Sequence, residues 1–361
     1  MTTLNRALFL VLLLSLAICV GAGAFWYNFT RVSMINAKEG VRFNVPPGAT
    51  YKTISTDLSH QHLISHPLLF NIFIKYSGKK HNLKAGEYVL AYGSTPLQVL
   101  NQLTTGAGLL YHSFTVVPGS TFRQLRSALN KNSYLKHVSL NLSDAELAKR
   151  LGIAVANPEG LFFPDTYYFA LGSSDLVILK NAYIAMQEKL NYAWQHRAAN
   201  LPLKTPYEVL IAASIIEKET GLKEERPIIA AVLENRLRQN ILLQFDPTVI
   251  YGLGARYEGK IYLTNLRENN PYNTYVHKGL PPTPISMPSL VSITAITQPD
   301  QNNYLYFVAK GDGLSHQFST TLLEHYTAVA AAKNYHPWYF NADLMRGYLI
   351  KIFGQKMFNT N

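Results

Sequence analysis

Between Arg6 and Arg31 the chain carries no charged residue, and from Ala7 to Tyr27 it is almost continuously apolar. A run of this length and character leaves few options. In hydrocarbon only a helix or a closed barrel satisfies its own peptide groups, and a single run of this length fits a bilayer-crossing helix. Phe25, Trp26 and Tyr27 suit its far interface. The reading is an uncleaved, single-pass anchor that touches lipid through residues 7–27. A cleaved signal peptide competes with it, because Ala22-Gly23-Ala24 has the small-residue spacing of a cleavage site. Ile18 is too bulky before Cys19 for lipoprotein processing. On either reading the remaining chain lies outside the cytoplasm.

The whole chain has 361 residues, room for about two domains. It is 48% hydrophobic and 15% charged, which describes folded cores and not a disordered polymer. A net charge of +11 calls for an anionic neighbour. The basic residues are scattered and form no nucleic-acid-binding motif, so nucleic acid is not expected as a partner. Cys19 is the single cysteine, which excludes an intrachain disulfide and a cysteine metal site.

Residues 28–40 read as a polar connector, with the linker proper at 31–40. An internal echo follows: "VPPGATYKTI" from Val45 and "VVPGSTFRQL" from Val116 each run from a β-rich stretch through Pro-Gly into a Ser/Thr-opened helix. Strand–helix alternation over 41–108 predicts a small α/β module. Beyond it the chain becomes helix-rich. Ser143 with Glu146 three residues on marks a helix start, and helices are predicted over 175–197, 206–219 and 225–239. "PEGLFFPDTYYF" (158–169) reads as a loop or short strand pair. Strands return near "YLYFVAKGDG" and "HQFS" before a last helix in "TTLLEHYTAVAAAK".

The 206–219 helix is apolar on every side until Glu217 and Glu219. Such a helix belongs inside a domain, where a carboxylate needs a partner or a task. At 100° per residue the two acids point about 200° apart, so one can face a cleft while the other pairs with Lys218, Lys223 or Arg226. Periodicity does not decide which. Gln244, Asp246 and Tyr251 follow, then Tyr272, Asn273, Thr274 and Tyr275 before a Pro-rich loop. These amides and phenols suit a sugar groove, although Asp246-Pro247 also reads as an N-cap followed by proline. No HExxH, P-loop, GxSxG or dinucleotide fingerprint occurs, and no metal or cofactor is expected.

"SIIEKET", "LQFDPTVIYG", "YNTY", "GLPPTPI", "YLYFVAKGDGLSHQFSTT" and "EGLFFPDTY" together resemble the endolytic murein transglycosylase (YceG-like) family, over residues 41–335. The resemblance implies an α+β chain with an anchor (1–30), linker (31–40), LysM-like module (41–108), helix-rich catalytic domain (109–335) and tail (336–361). It implies cleavage of peptidoglycan strands between N-acetylmuramic acid and N-acetylglucosamine, leaving 1,6-anhydro ends. It implies an inner-membrane protein facing outward, with cell-wall synthases as possible partners. It places the catalytic acid on Glu217, desolvated by Leu210, Ala213 and Ile216, with Glu219 left as a structural partner. Gln244, Asp246, Tyr251, Asn273 and Tyr275 then bind substrate. Phe245 and Thr283 are larger than the family pattern leads one to expect. Two rivals differ in class: a non-catalytic wall-binding protein, and a hydrolytic muramidase using Asp246 as second carboxylate.

Overall fold

The computed structural model describes residues 3–35, 39–64, 66–155 and 157–332, with the side chains of residues 3–7 left aside. The 336–361 tail therefore falls outside the described residues. The chain forms two compact units. Among the described residues, the first takes those within 3–114, 132–138 and 168–177, and the second those within 115–131, 139–167 and 178–332.

In the first unit, helix α1 (Thr3–Arg31) contains a span long and apolar enough to cross a membrane, Leu8–Arg31. Strand β1 (Val41–Val45) pairs antiparallel with β2 (Gly86–Leu90), Val41 opposite Leu90 and Val45 opposite Gly86. Alternation along the strands turns Phe43, Val45, Tyr88 and Leu90 inward. Between them lie α2 (Tyr51–His60), whose N-terminus is capped by Thr50, and α3 (Pro67–Tyr76). Helix α4 (Pro96–Thr105) starts with a Thr95–Gln98 capping box and ends at left-handed Gly106. These elements close over a core that includes Ile54, Leu58, Phe70, Ile74, Val99 and Leu103. Burying each such side chain contributes roughly 1.5–3 kcal/mol.

Residues 31–35 of the expected linker pack with this unit. Helix α1 continues through Arg31, and Ile35 is fully buried. The Met34 N–H donates to the Ser94 carbonyl, and the Gly93 N–H donates to that of Ile35. An apolar Met-Ile pair outweighs the polar residues around it, because the buried Ile35 and the partly buried Met34 repay the ordering of a short segment.

Strand β3 (Tyr111–Thr115) pairs with β4 (Thr166–Ala170), and both Pro-Gly echoes lead from a strand into a helix: β1 into α2, and β3 into α5 (Phe122–Lys131). Helix α6 (Asp144–Leu151) carries the predicted capping box, and α7 spans Asp175–Gln195. The centre of the second unit is α8 (Pro206–Glu219), buried from Val209 to Ile216. It packs against α9 (Arg226–Arg238), α10 (Asp246–Leu253) and, further along the chain, α12 (Leu290–Thr297). A 3-10 turn (Gly254–Arg256) and the short α11 (Leu263–Leu266) precede α12. The antiparallel hairpin β5 (Tyr306–Ala309) and β6 (His316–Ser319) packs on α13 (Leu322–Ala331).

Candidate active site

Helix α8 begins cleanly: the Thr205 hydroxyl accepts the Glu208 N–H, and Pro206 fills the first turn. Its end presents the two acids to different surroundings. Glu217 is ion-paired, and both partners are buried. Arg226 Nη1 lies 3.0 Å from Oε2, and Nη2 lies 3.2 Å from Oε1. Oε2 further accepts the Ser289 N–H at 2.9 Å, the Ser289 hydroxyl at 2.6 Å and the Ser292 hydroxyl at 2.8 Å. Ser289 holds the N-cap position of α12 without capping it through its side chain, so the Glu217 carboxylate sits where a helix N-terminus favours negative charge.

Every partner of Glu217 donates. The acceptor positions of this carboxyl are filled by a buried arginine, a backbone amide and two hydroxyls. The resemblance places the proton donor on Glu217; in the structure that side chain ties α8 to Arg226 and to the start of α12. Arg226, one of the cations foreseen for the other acid, pairs with Glu217.

Glu219 has the opposite surroundings. The residue is half-buried, but its Oε2 is enclosed and has no hydrogen-bond partner. Burial, helped by the negative charge of Asp246, pushes its carboxyl up to about 8. Asp246 opens α10 and does not cap it; the N-cap position belongs to Phe245. Its carboxylate instead accepts the Tyr275 hydroxyl at 2.5 Å.

The loops on either side of these residues interlock. The Gln244 N–H donates to the Thr274 carbonyl, the Phe245 N–H to the Thr274 hydroxyl, and the Thr248 and Thr274 hydroxyls meet at 2.8 Å. Gln244 is exposed and has φ +57°, a left-handed conformation that costs a side-chain-bearing residue about 1 kcal/mol or more. Its Oε1 accepts from Arg236 Nη1 at 2.9 Å, which leaves the amide nitrogen as the outward donor. Arg236 also donates to the carbonyls of Leu242, Leu243 and Leu305, fixing the approach to the loop.

Asn273 and Tyr251 lie apart from the sugar-contacting role expected of them. Asn273 is 1% exposed, and its Nδ2 donates to the carbonyls of Asn265, Leu266 and Glu268. Its Oδ1 accepts the Tyr275 N–H. The amide is consumed in building the loop that carries Tyr275. Tyr251 donates to Glu159 Oε2 at 3.0 Å and packs its ring on Tyr272. Glu159 also accepts the Phe122 N–H, and burial pushes its carboxyl up to about 7. The neighbouring Gly160, at φ +77°, lets the backbone approach Pro284, whose Cβ would stand 2.4 Å from any added Cβ.

Glu159 and Arg236 are the residues that sequence reasoning missed. Glu159 had a signal, a lone acid between Pro158 and Gly160 in an aromatic segment. Arg236 had none, since a basic residue near a helix C-terminus is ordinary.

The pattern of the YceG-like family matches residues 43–331. The chain belongs to the YceG-like family. An endolytic murein transglycosylase of Bacillus subtilis (strain 168) is 31% identical, the match covering 84% of this chain and 88% of the relative. An endolytic murein transglycosylase of Streptococcus pneumoniae (strain D39) is 27% identical, covering 84% of this chain and 61% of the relative. A crystal structure of a yceG-like protein from Listeria monocytogenes aligns with TM-score 0.50 and 28% identity, over 81% of this chain and 99% of the other. The YceG-like match begins inside β1 and ends in α13, so it takes in both compact units.

Proposed function

We propose that this YceG-like protein is a membrane-anchored peptidoglycan lytic transglycosylase in which Glu219 is the catalytic acid and base. The observation that carries the assignment is the enclosed, unpartnered Oε2 of Glu219, in a carboxyl that burial and the charge of Asp246 push up to about 8. The names of the two bacterial relatives support the substrate class.

The chemistry needs one such group. A glycosidase that uses water needs two carboxylates, whereas a lytic transglycosylase uses the 6-hydroxyl of the muramic sugar as nucleophile. Glu219 gives its proton to the glycosidic oxygen as the bond from C1 to that oxygen breaks. The 6-oxygen then bonds to C1, and the Glu219 carboxylate takes the hydroxyl proton. The acid is regenerated and no water is consumed. A carboxyl near pKa 8 suits the first step and is a competent base in the second. Asp246, held by Tyr275, supplies negative charge beside the reacting centre, and Gln244 offers an amide donor to substrate carbonyls.

The apolar helix α1 supports an anchor in the cytoplasmic membrane, with the catalytic unit outside, where peptidoglycan lies. The order β1-α2-α3-β2, with its strands paired antiparallel, supports reading the small unit as a LysM-like aid to glycan binding.

Mass spectrometry of the products released from purified sacculi tests the function. Anhydro-muramic ends are expected from the wild-type chain and none from Glu219→Gln. Reducing ends instead would make the enzyme a muramidase, and no release at all would leave a wall-binding protein.

A further inference from the structure

Helix α3 buries one side and bares another. Phe70, Phe73 and Ile74 enter the core, while Leu68, Ile72 and Tyr76 are 76%, 43% and 77% exposed. Spaced four apart, these three form one stripe along the helix. Soluble proteins scatter exposed apolar residues, and a continuous stripe calls for a partner.

The neighbouring helix identifies the partner. Phe73 packs edge-on against Trp26 of α1, with ring centroids 5.9 Å apart. At about 1.5 Å per residue, the apolar run from Leu8 to Tyr27 is roughly 30 Å long, the thickness of the hydrocarbon layer. Trp26 thus stands at the outer edge of the hydrocarbon, and Arg31, stacked 4.6 Å above the Tyr27 ring, reaches the headgroups. A helix that touches Trp26 through its own side chain lies at headgroup depth. Charge agrees: no acid occurs between Asp57 and Glu87, while Lys75, Lys79, Lys80 and Lys84 do. Lys75 and Lys80 are exposed, and Lys75 lies 5.8 Å from the Tyr76 ring at the end of the stripe.

We infer that α3 is a second membrane contact, seating Leu68, Ile72 and Tyr76 in the interface of an anionic phospholipid bilayer with Lys75 and Lys80 against its phosphates. The contact holds the small unit flat on the membrane surface instead of leaving it tethered above it. This inference rests on the reading of α1 as an uncleaved anchor.

The test uses the full-length chain in nanodiscs containing phosphatidylglycerol, with a nitroxide on one cysteine at a time. A label on native Cys19 reports the span. A label on Ile72→Cys in a Cys19→Ser background reports α3. Collision rates with oxygen, which favours lipid, and with a water-soluble nickel complex are compared. Both labels are expected to show a several-fold excess of oxygen over nickel collisions. Adding Leu68→Glu and Tyr76→Glu should reverse the ratio at position 72, while the same pair in the Cys19-labelled chain leaves the span unchanged. A water-like ratio at Cys19 would overturn the anchor reading itself. A lipid-like ratio at Cys19 with a water-like one at position 72 would overturn only the inference. So would shielding from both reagents at position 72, which would mean that protein covers the stripe.

Discussion

Arg226 grips both carboxyl oxygens of Glu217, at 3.0 and 3.2 Å, with both side chains nearly excluded from solvent. Two residues on, Glu219 keeps an enclosed oxygen with no donor. The helix turns about 200° between them, enough to put one acid against Arg226 and two hydroxyls and the other near Asp246. One short acidic motif thus contains a carboxyl whose partners organise structure and a carboxyl that burial pushes up to about 8.

The two glutamines are expected to separate these roles. Glu219→Gln should fold normally and lose about 10²-fold or more in turnover, since the transferable proton is gone. Glu217→Gln should instead lose about 3 kcal/mol or more of stability, because Arg226 is left as a buried, uncompensated charge. Thermal melts together with turnover normalised to folded protein measure both. A folded, inactive Glu217→Gln beside an active Glu219→Gln would return the chemistry to Glu217.

The pH dependence follows from the direction of the Glu219 shift. The native state holds this proton up to about 8, whereas the unfolded chain releases it near the ordinary value of 4.5. Between those values the native state binds more protons than the unfolded state, so stability falls as pH rises from about 4.5 to about 8. Glu159 and Glu234, both pushed up to about 7, act in the same sense. Glu219→Gln removes its own share only. Its stability should be close to wild type near pH 4.5 and exceed it increasingly up to about pH 8, by about 1 kcal/mol or more, read from melting temperatures across the range. Wild-type turnover should decline with an alkaline limb near pH 8. A constant difference between the two melting curves across the range would contradict a raised Glu219.

Much of the fold was legible because local chemistry and packing agreed. The Ser143–Glu146 box and the apolar pattern of the 206–219 helix each predicted an element that formed within a few residues. The site was less legible. Glu217 and Glu219 lie on opposite sides of a helix that is apolar all round, so the wheel does not assign their roles, and what separates them comes from Ser289 and Ser292, about seventy residues away, and from Asp246. The resemblance pointed to the motif, but only the long-range partners tell its two acids apart. Asn273 misled for a related reason: an amide in a polar loop looks the same in sequence whether it faces a sugar or three backbone carbonyls.

That distinction is measurable at Asn273. Replacement by alanine removes the donors to Asn265, Leu266 and Glu268 and the acceptor for the Tyr275 N–H. Leaving buried polar groups unmet costs about 1–3 kcal/mol. Asn273→Ala should therefore melt lower, and substrate protection should not restore it. Unchanged stability with a raised KM would make Asn273 a sugar contact after all.

Gln244 provides the complementary case. Its left-handed backbone would suit glycine, so a side chain kept there at a cost points to a use for that side chain. The amide is oriented as well: Arg236 takes the oxygen and the nitrogen faces outward as a donor. Gln244→Gly relieves the strain of about 1 kcal/mol but adds a similar entropy to the unfolded chain, so stability should stay within about 1 kcal/mol of wild type. The lost donor should appear in binding, as a KM raised about tenfold with kcat much less affected, the size expected of one hydrogen bond to a neutral carbonyl. Gln244→Glu should do no better, since it keeps an acceptor for Arg236 and still lacks the donor. Steady-state kinetics on a soluble glycan strand, paired with a thermal melt, measures both halves. An unaltered KM in Gln244→Gly would show that the amide serves Arg236 alone.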